Sequence, residues 1–490
     1  MKRNSTASNR RAELWIILAV GALAAVLFYL LVSRLTFRIG FPLDDSWIHL
    51  TYARNLAEHG EWAFQLGQRS AGSTAPIWTI LLSIGFLLGL APYVWTYFLG
   101  WAALFLIALY GEMLARSLLP EYSSRIPWVG LFLSFAWHLT WSAVSGMETL
   151  LHGLISLVVL GSLIVRSRRY LTLGVLAGLS VWVRPDGLTL LGPIVFVAWF
   201  SEPTVSLRLQ AIGKALLGFG ALLFPYLFFN LVLSGSPMPN TFYAKQAEYE
   251  TYWLSKTFLE RTLDYASPVI ASPFVVLLPG AVLWLWRSGR ERNWGALASL
   301  IWCLGYIAIY VARLPAYQHG RYIIPTFPVL YLWGMLGLMQ VTSSRAMNRY
   351  LVTFWRMITL VLTIAFALIG ARQNAIDVFL IESEMIRTAE WVDQNLSSDA
   401  RLAVHDIGAL GFFVANPLID LAGLTSPEVV PFIRDEDRLA DYLDESAVDY
   451  LITFPSFYPQ LTSRGQPVFE AGLEHELVQF EEHIQVFRWR

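Results

Sequence analysis

The sequence predicts a polytopic α-helical membrane protein with a small α/β domain at its C-terminus. Of the 490 residues, 56% are hydrophobic and only 14% are charged, whereas soluble domains carry about 25% charged residues. Apolar runs of roughly 15–22 residues, adequate to span or nearly span a bilayer, recur along residues 1–371. The segment 372–490 is more polar and mixes short strand-like and helix-like stretches. A net charge of −1 gives no basic field that would indicate nucleic acid as a partner.

The first apolar run extends from Leu14 to about Val32 and follows a basic start that includes Lys2, Arg3, Arg10 and Arg11. It is too long for the core of a signal peptide, and no clear Ala-x-Ala cleavage site follows it. We therefore expect an uncleaved first helix. Its basic N-terminal flank predicts a cytoplasmic N-terminus, because basic flanks stay on that side.

Basic clusters between the later runs predict the topology. The positive-inside rule places all of them in the cytoplasm only if one early run does not cross. The run 75–91 is the best candidate, because it is short and Pro92 follows it at once. We predict that it is re-entrant or juxtamembrane and that about 11 helices cross. The other runs lie near 93–115, 127–144, 149–165, 170–183, 187–201, 210–233, 266–286, 294–312, 323–341 and 349–370, and the clusters are Arg116/Arg125, Arg166/Arg168/Arg169, Arg208/Lys214, Arg287/Arg290/Arg292 and Arg345/Arg349.

The tail is predicted to be a separate extracytoplasmic α/β domain at 372–490, after a membrane module at 1–371. It holds more than half of the 36 acidic residues but fewer than a quarter of the 35 basic ones. An acidic domain fits the outer side better than the anionic inner leaflet. Within the membrane module, 34–92 is predicted to be a first outer loop with interfacial helices. Strand-like runs occur at 401–404 and 450–454, and helix-like stretches near 382–396 and 435–446.

Two adjacent carboxylates, Asp44 and Asp45, lie just past the first span. A charged side chain at a membrane boundary costs free energy, so its presence there indicates a function. A carboxylate within reach of a hydroxyl can accept the proton of that hydroxyl. Either Asp or Ser46 could instead cap the helix that follows, but one cap needs only one of them. We predict Asp44 as a general base, and Asp45 as a residue that orients the acceptor or binds a metal.

The other predicted outer loops contribute cations and further acids. Each has a simpler explanation: Arg184 and Asp186 could pair with each other across Pro185, and Lys245 and Arg321 could be snorkelling anchors. Taken together, cations and carboxylates on one membrane face suit an anionic head group, because Arg and Lys bind phosphate oxygens. Such cations would stabilise the charge that grows on a leaving phosphate.

The need for a metal is left open by the sequence. Asp44, Asp45, Glu148 and His319 could supply ligands to a divalent ion, but the required geometry cannot be derived from sequence. Glu148 could equally be a boundary charge that faces water, and His319 a solvated loop histidine. The cofactor is therefore unknown.

Several motifs resemble those of the GT-C superfamily of membrane glycosyltransferases, most closely its bacterial arabinofuranosyltransferase- and mannosyltransferase-like branch. Their order and spacing along nearly the whole chain carry the resemblance more than any single motif. Ser46 stands where Ala is commoner in that family, and Asp186 where Glu is frequent. The motifs are Asp44–Ile48, Tyr52–Leu56, Gly72–Trp78, Ser145–Thr149, Arg184–Gly187, Pro239–Lys245, His319–Tyr322, Val404–Gly408 and Asp420–Leu424.

The resemblance implies inverting transfer of a sugar on the outer face of the cell membrane. The donor would be a polyprenyl-phosphate sugar and the acceptor a hydroxyl of a glycan, lipid or protein. It also implies a pair of interfacial helices in the first loop. Neither the sugar nor the acceptor follows from it. Besides Asp44 and Asp45, the residues assigned to the site are the substrate-binding candidates Arg54, Thr74, Glu148, Arg184, Asp186, Asn240, Tyr243, Lys245, His319 and Arg321.

Two other functions remain open. A transporter or flippase of a lipid-linked substrate ranks second, because such proteins tend to carry charges at mid-bilayer and repeated halves, whereas here the polar residues gather in loops and no repeat is evident. The third is a non-catalytic scaffold whose tail binds a partner. In the tail, His405 and Asp406 could recognise an acceptor or merely pack at a strand end.

Overall fold

The computed structural model describes residues 2–343, 348–473 and 481–489, with side chains described from Arg11 onward except at 342–343. Arg345 of the predicted basic clusters lies outside these residues. Most of the described chain is helical, as predicted. Shorter turns of 3₁₀ or π type occur at Pro185–Leu190, Ile324–Thr326, Ile381–Ile386, Pro427–Phe432 and Pro455–Phe457, and the α-helices are Lys2–Thr36, Asp45–His59, Pro76–Leu87, Pro92–Leu118, Trp128–Phe135, Trp137–Val144, Thr149–Ile164, Tyr170–Val183, Leu191–Ser201, Val205–Ser234, Asn240–Glu248, Glu250–Ser255, Phe258–Ile270, Phe274–Arg290, Trp294–Arg313, Tyr317–Gly320, Phe327–Ser343, Arg349–Leu380, Arg387–Asn395, Gly408–Phe413, Glu436–Glu445 and Pro459–Arg464.

Long apolar helices confirm the polytopic class. Among the described residues, six helices are long and apolar enough to cross a membrane, or seven if one sharply bent pair counts as a single span. Four shorter apolar helices accompany them, and one of these, Pro76–Leu87, is the run predicted not to cross. Its 12 residues fall short of the roughly 20 that a spanning helix needs. The number of about 11 crossings stays a prediction.

Two runs predicted as single helices are broken, so those predictions were wrong in detail. The run 127–144 is interrupted at Ala136, whose ψ of 112° is extended. The interruption leaves the carbonyl of Ser134 without its helical hydrogen bond, and the hydroxyl of Thr140 donates to that carbonyl instead, at 2.9 Å. The run 266–286 is bent by 98° between two helices. Pro273 lies in this break, and proline cannot continue the ladder of a preceding helix.

The last membrane helix extends far beyond its predicted end at 370. It runs from Arg349 to Leu380 and continues through the π-helical turn Ile381–Ile386 into Arg387–Asn395. The sequence from Arg372 to Asn395 contains neither Gly nor Pro, so nothing in it stops a helix. The polar composition that marks the start of the tail therefore does not mark a break in the backbone.

The chain divides into two compact units, which are described separately. Unit 1 comprises 1–31, 97–226 and 256–372, and unit 2 comprises 32–96, 227–255 and 373–490. The tail thus belongs to the same compact unit as the first predicted outer loop. The boundary between a membrane module and a tail domain at 371/372 remains a prediction.

Unit 1 includes one very close helix pair, Phe274–Arg290 with Phe327–Ser343. Gly280 and Gly337 face each other, and a methyl group on Gly337 would overlap the carbonyl oxygen of Gly280. Small residues at such contacts let two backbones approach within a membrane. The only cysteine of the chain, Cys303, is buried in the helix Trp294–Arg313.

Unit 2 contains a two-stranded hairpin and a five-stranded sheet. In the hairpin, β1 (Ala63–Gln65) pairs antiparallel with β2 (Gln68–Arg69). The sheet confirms the predicted strand-containing tail, and two of its strands fall on the strand-like runs. Three strands pair in parallel with one another, and β7 pairs antiparallel with both of its neighbours. Its order is β4 (Leu418–Asp420), β3 (Leu402–Val404), β5 (Tyr450–Thr453), β7 (Gln485–Arg488) and β6 (Gln466–Glu470).

Candidate functional site

Asp44 anchors a short helix that lies more than 350 residues further along the chain. It is buried and makes no side-chain cap at the helix Asp45–His59 that follows it. Its two carboxylate oxygens accept hydrogen bonds from the main-chain N–H groups of Gly408, at 2.7 Å, and Ala409, at 2.8 Å. These N–H groups begin the helix Gly408–Phe413, where N–H groups lack partners and favour a negative charge. A side chain at Gly408 would overlap Asp44.

Arg54 holds the opposite end of the same short helix. Its guanidinium donates to the carbonyl oxygens of Phe412, at 2.6 Å, and Gly411, at 3.4 Å. It also lies 4.6 Å from the centre of the Phe412 ring, within cation–π range. Since a cation is favourable at a helix C-terminus, Asp44 and Arg54 together fix Gly408–Phe413 against Asp45–His59. This geometry makes Arg54 a positioning residue.

Asp45 has a different environment from its neighbour. Its carboxylate lies 3.7 Å from the ammonium group of Lys245, and the two side chains are 30% and 18% exposed. Lys245 lies on the helix Asn240–Glu248. Unit 2 thus brings together the predicted acid of the first loop and a predicted cation of another loop. Both charges remain accessible to a ligand.

The tail contributes two further acids to this region. Burial, together with repulsion from the neighbouring Asp45, Glu248 and Asp420, raises the pKa of Asp406 to about 7. Burial likewise raises the pKa of Asp44 to about 7, with Asp406 adding to the shift and the two N–H donors opposing it. These shifts place protonation of the two carboxyl groups near neutral pH. We call Asp44, Asp45, Asp406, Asp420 and Glu248 the acid cluster.

His405 links the end of β3 to the helix that carries Lys245. Its Nδ1 lies 2.9 Å from the hydroxyl of Tyr458, and its Nε2 lies 3.8 Å from a carboxylate oxygen of Glu248. Burial lowers the pKa of His405, with Glu248 and two Asp residues opposing that shift. Sequence reasoning missed Glu248 and Tyr458. Glu248 stands three residues after Lys245, and this spacing places both on one face of a helix. The sequence therefore contained a pattern from which Glu248 could have been predicted to lie near the site.

Three other predicted site residues of unit 2 have distinct surroundings. The side-chain amide of Asn240 donates to the carbonyl of Leu424, at 3.2 Å, and its main-chain N–H donates to the carbonyl of Ala71, at 3.2 Å. Asn240 therefore positions the helix that it begins. Tyr243 is 37% exposed, and Thr74 is half-buried just before the helix Pro76–Leu87.

A second cluster, in unit 1, surrounds Arg184. Its guanidinium donates to Asp186, at 3.1 Å, to Glu148, at 3.3 Å, and to the hydroxyl of Tyr310, at 3.2 Å. The hydroxyl of Tyr310 donates in turn to Asp186, at 2.6 Å, and so does that of Tyr306. The structure thus shows the pairing of Arg184 with Asp186 across Pro185. Two carboxylates around one guanidinium make this a buried ion network.

Arg321 and His319 lie on a strained segment of unit 1. Arg321 donates to the hydroxyl of Tyr322, at 3.2 Å, and the ring of Tyr322 stacks on that of Tyr310, with centroids 5.3 Å apart. His319 contacts two tryptophan rings edge-on and is half-buried. Gln318, His319 and Gly320 have φ values of 50°, 60° and 70°, so the short turn Tyr317–Gly320 is not a regular α-helix. Consecutive left-handed residues persist only where the surrounding structure fixes them.

The predicted site residues therefore fall into two groups. Unit 2 brings Asp44, Asp45 and Lys245 together and adds acids from the tail, whereas unit 1 joins Glu148, Arg184 and Asp186. That both groups share one pocket stays a prediction. Within 2–343, 348–473 and 481–489, no group of three or more His, Cys, Asp or Glu side chains is arranged to hold a metal ion.

Comparison with solved structures shows the class of fold. The crystal structure of ArnT from Cupriavidus metallidurans in the apo state matches 97% of this chain and 98% of its own, with a TM-score of 0.59 and 15% identity. The structure of the same protein bound to undecaprenyl phosphate gives a TM-score of 0.56 over the same shares, also at 15% identity. These matches confirm the predicted GT-C type of membrane fold.

Other comparisons are narrower. The arabinofuranosyltransferase AftD from Mycobacteria matches 96% of this chain but only 41% of its own, at 16% identity and a TM-score of 0.48. This TM-score is too low to support the predicted arabinofuranosyltransferase- and mannosyltransferase-like branch. A family model described as a domain of unknown function, DUF8728, matches residues 374–487. The curated protein sequences give no match.

Proposed function

We propose that this protein is an inverting glycosyltransferase of the cell membrane. It moves a sugar from a polyprenyl-phosphate donor to a hydroxyl of a glycan, lipid or protein acceptor on the outer face, with an aspartate as general base. The observation that carries the proposal is the pair formed by Asp45 and Lys245, at 3.7 Å, next to the other members of the acid cluster. The fold shared with ArnT, which was crystallised with undecaprenyl phosphate, supports the lipid-linked donor.

The geometry favours Asp45 over Asp44 as the base, which reverses the sequence-based assignment. Both oxygens of Asp44 accept main-chain hydrogen bonds, so protonation of Asp44 would cost at least one of them. The Asp45 side chain is 30% exposed, and an acceptor hydroxyl can approach it. We assign Asp44 to holding the helix Gly408–Phe413 and Asp45 to accepting the proton.

The chemistry is a single displacement at the anomeric carbon. The acceptor oxygen attacks that carbon as its proton passes to Asp45, and the bond from the carbon to the phosphate oxygen breaks. The electron pair of that bond leaves with the polyprenyl phosphate. Lys245 has three N–H donors, so it can keep Asp45 ionised before the reaction and bind the departing phosphate. One displacement inverts the configuration.

The test is Asp45→Asn in the full-length protein. We expect transfer from a panel of undecaprenyl-phosphate sugars, followed as release of undecaprenyl phosphate, to fall by about 10²–10⁴-fold, the usual contribution of a general base. Asp393→Asn is the matched control, because Asp393 is exposed on the helix Arg387–Asn395. Wild-type transfer by folded Asp45→Asn would refute the assignment. Movement of the lipid across vesicles without a glycosidic product would favour the transporter alternative.

A further inference from the structure

Residues of unit 1 line a cavity of about 180 Å³. Its lining combines the arginines 166, 168 and 292 with Ser167, Tyr170 and Trp294. One buried water needs only about 10–15 Å³, so the cavity accommodates a larger group. The cavity joins two of the basic segments that the sequence predicts to be cytoplasmic, and none of its lining residues belongs to the acid cluster or to the cluster around Arg184.

The arginines 166 and 292 both occupy backbone positions that normally require glycine. Their φ values are 60° and 51°. Each follows a helix end, and its N–H donates back to a carbonyl three residues earlier, Leu163 at 3.0 Å and Gly289 at 3.1 Å. The residue at this point of a helix C-terminus is usually Gly, because a side chain is strained in the left-handed conformation. Two arginines that tolerate the same strain and line the same cavity point to a function for their side chains.

The segments that carry these arginines are fixed to each other. The Nη2 of Arg166 donates to the carbonyl of Glu291, at 3.2 Å. The side-chain amide of Asn293 donates to the carbonyl of Ile164, at 3.0 Å. The two helix ends are thus held together before any ligand arrives, and such preorganisation lowers the cost of binding.

Charge and lining define the chemistry of a ligand. The lining carries three guanidinium groups. The carboxylate of Glu202 lies 3.6 Å from the guanidinium of Arg168 and accepts a hydrogen bond from Tyr170 at 3.0 Å. The balance is positive, and guanidinium groups bind phosphate in bidentate fashion. The rings of Phe200 and Trp294 pack with their centroids 5.0 Å apart and add an apolar wall. Basic pockets between membrane helices suit phosphate-bearing lipid head groups.

We propose that this cavity binds a phosphate group, in the first place that of an anionic membrane lipid. The arginines 166 and 292 bind the phosphate oxygens, and Arg168 adds to the positive charge that attracts the phosphate. The wall formed by Phe200 and Trp294 contacts the apolar part of the lipid. The site is separate from the proposed glycosyl transfer and does not depend on it. Its location among basic segments predicts that the lipid comes from the cytoplasmic leaflet.

The test compares thermal unfolding of the purified full-length protein in phosphatidylglycerol, in phosphatidylcholine and with inorganic phosphate. We expect phosphatidylglycerol to raise the Tm of the wild type more than phosphatidylcholine does. The double variant Arg166→Gly and Arg292→Gly should lose that difference. Glycine relieves the left-handed strain, so this variant should remain folded. The control Arg169→Gln and Arg290→Gln removes equal charge from residues of the same two basic clusters that do not line the cavity, and it should respond as the wild type does.

The outcomes separate the sources and the alternatives. An inorganic-phosphate response that the glycine variant loses would support the site but assign it to free phosphate. Equal lipid responses in all three proteins, or equal loss in the control, would overturn the proposal. Should the glycine variant unfold, Arg168→Gln provides the second test. Its side chain is 65% exposed, and the variant should weaken the response without loss of folding. An unchanged response in folded Arg168→Gln would then overturn the proposal.

Discussion

The adjacent residues Asp44 and Asp45 have unlike surroundings. Asp44 is buried and satisfied by main-chain donors, whereas Asp45 is partly exposed and paired with Lys245. The carboxylate–cation pairing follows from residue types that the sequence displays. The partners of Asp44 and Arg54 could not be predicted, because they are main-chain groups of 408–412, and sequence gives no sign of which distant N–H or carbonyl a side chain will meet.

Removal of the Arg54 side chain should loosen the helix Gly408–Phe413. Hydrogen bonds from charged groups contribute about 1.5–3 kcal/mol, so Arg54→Ala should lower the free energy of unfolding by about 2 kcal/mol. Native-state hydrogen exchange near Phe412 should also rise. Arg69→Ala, at an exposed position of β2, is the matched control. Unchanged hydrogen exchange at Phe412 in Arg54→Ala would show that the hydrogen bonds of Arg54 contribute little to the stability of this helix.

Replacement of Asp406 should change how stability depends on pH. Its pKa is raised from about 3.8 to about 7, so the folded state holds this proton more tightly than the unfolded state. That contribution to stability is complete below pH 4 and is lost as pH rises to about 7. The fall in Tm between pH 5 and pH 8 should therefore be smaller in Asp406→Asn than in the wild type. In Asp393→Asn, Tm should change with pH as it does in the wild type. The same change of Tm with pH in Asp406→Asn would contradict the proposed contribution of the Asp406 proton to stability.

At the scale of elements, length and composition predicted where helices lie better than where they end. The helix Trp294–Arg313 and the strands β3 and β5 fall on their predicted runs. The break at Ala136 was not predictable, because a hydroxyl that replaces a main-chain hydrogen bond leaves no pattern in a uniformly apolar run. The extension to Asn395 was missed for the opposite reason, since the change in polarity at 372 suggested a boundary that the backbone does not have.

The contact of Phe274–Arg290 with Phe327–Ser343 should be highly sensitive to one methyl group. Gly337→Ala would force a side chain into the carbonyl of Gly280, and overpacking costs about 1–3 kcal/mol. We expect a lower Tm in detergent. Gly305→Ala is the control, because nothing lies within 4 Å of a methyl group there, and it should raise stability slightly through helix propensity. Similar Tm values for both variants would argue against close packing at Gly337.

At the scale of the whole molecule, the sequence predicted the class of fold but not the grouping of its parts. Hydropathy and motif order indicated a GT-C type of membrane protein, and the likeness to ArnT confirms that fold. The tail forms one compact unit with 32–96 and 227–255. That association rests on contacts such as Asp44 with Gly408, between residues far apart in sequence. The orientation in the membrane still rests on the distribution of arginine.

The orientation can be tested with single cysteines. Cys303 is buried and should give little background labelling. Ser463→Cys, exposed in the tail, should react with an impermeant maleimide from outside intact cells. Ser123→Cys, exposed before the helix Trp128–Phe135, should react only after the membrane is opened. The reverse pattern would invert the topology and remove the acid cluster from the outer face.

The bond between Asp44 and Gly408 also bears on ancestry. The family model that covers 374–487 includes Gly408 but not the loop whose carboxylate anchors it. Each segment needs the other. Without the tail, the buried carboxylate of Asp44 would be exposed, and without the loop, the main-chain N–H groups of Gly408 and Ala409 would lose their acceptor. We therefore expect the loop with Asp44 and the tail with Gly408 to occur together in related proteins. A related protein that has only one of these segments should contain another partner for it.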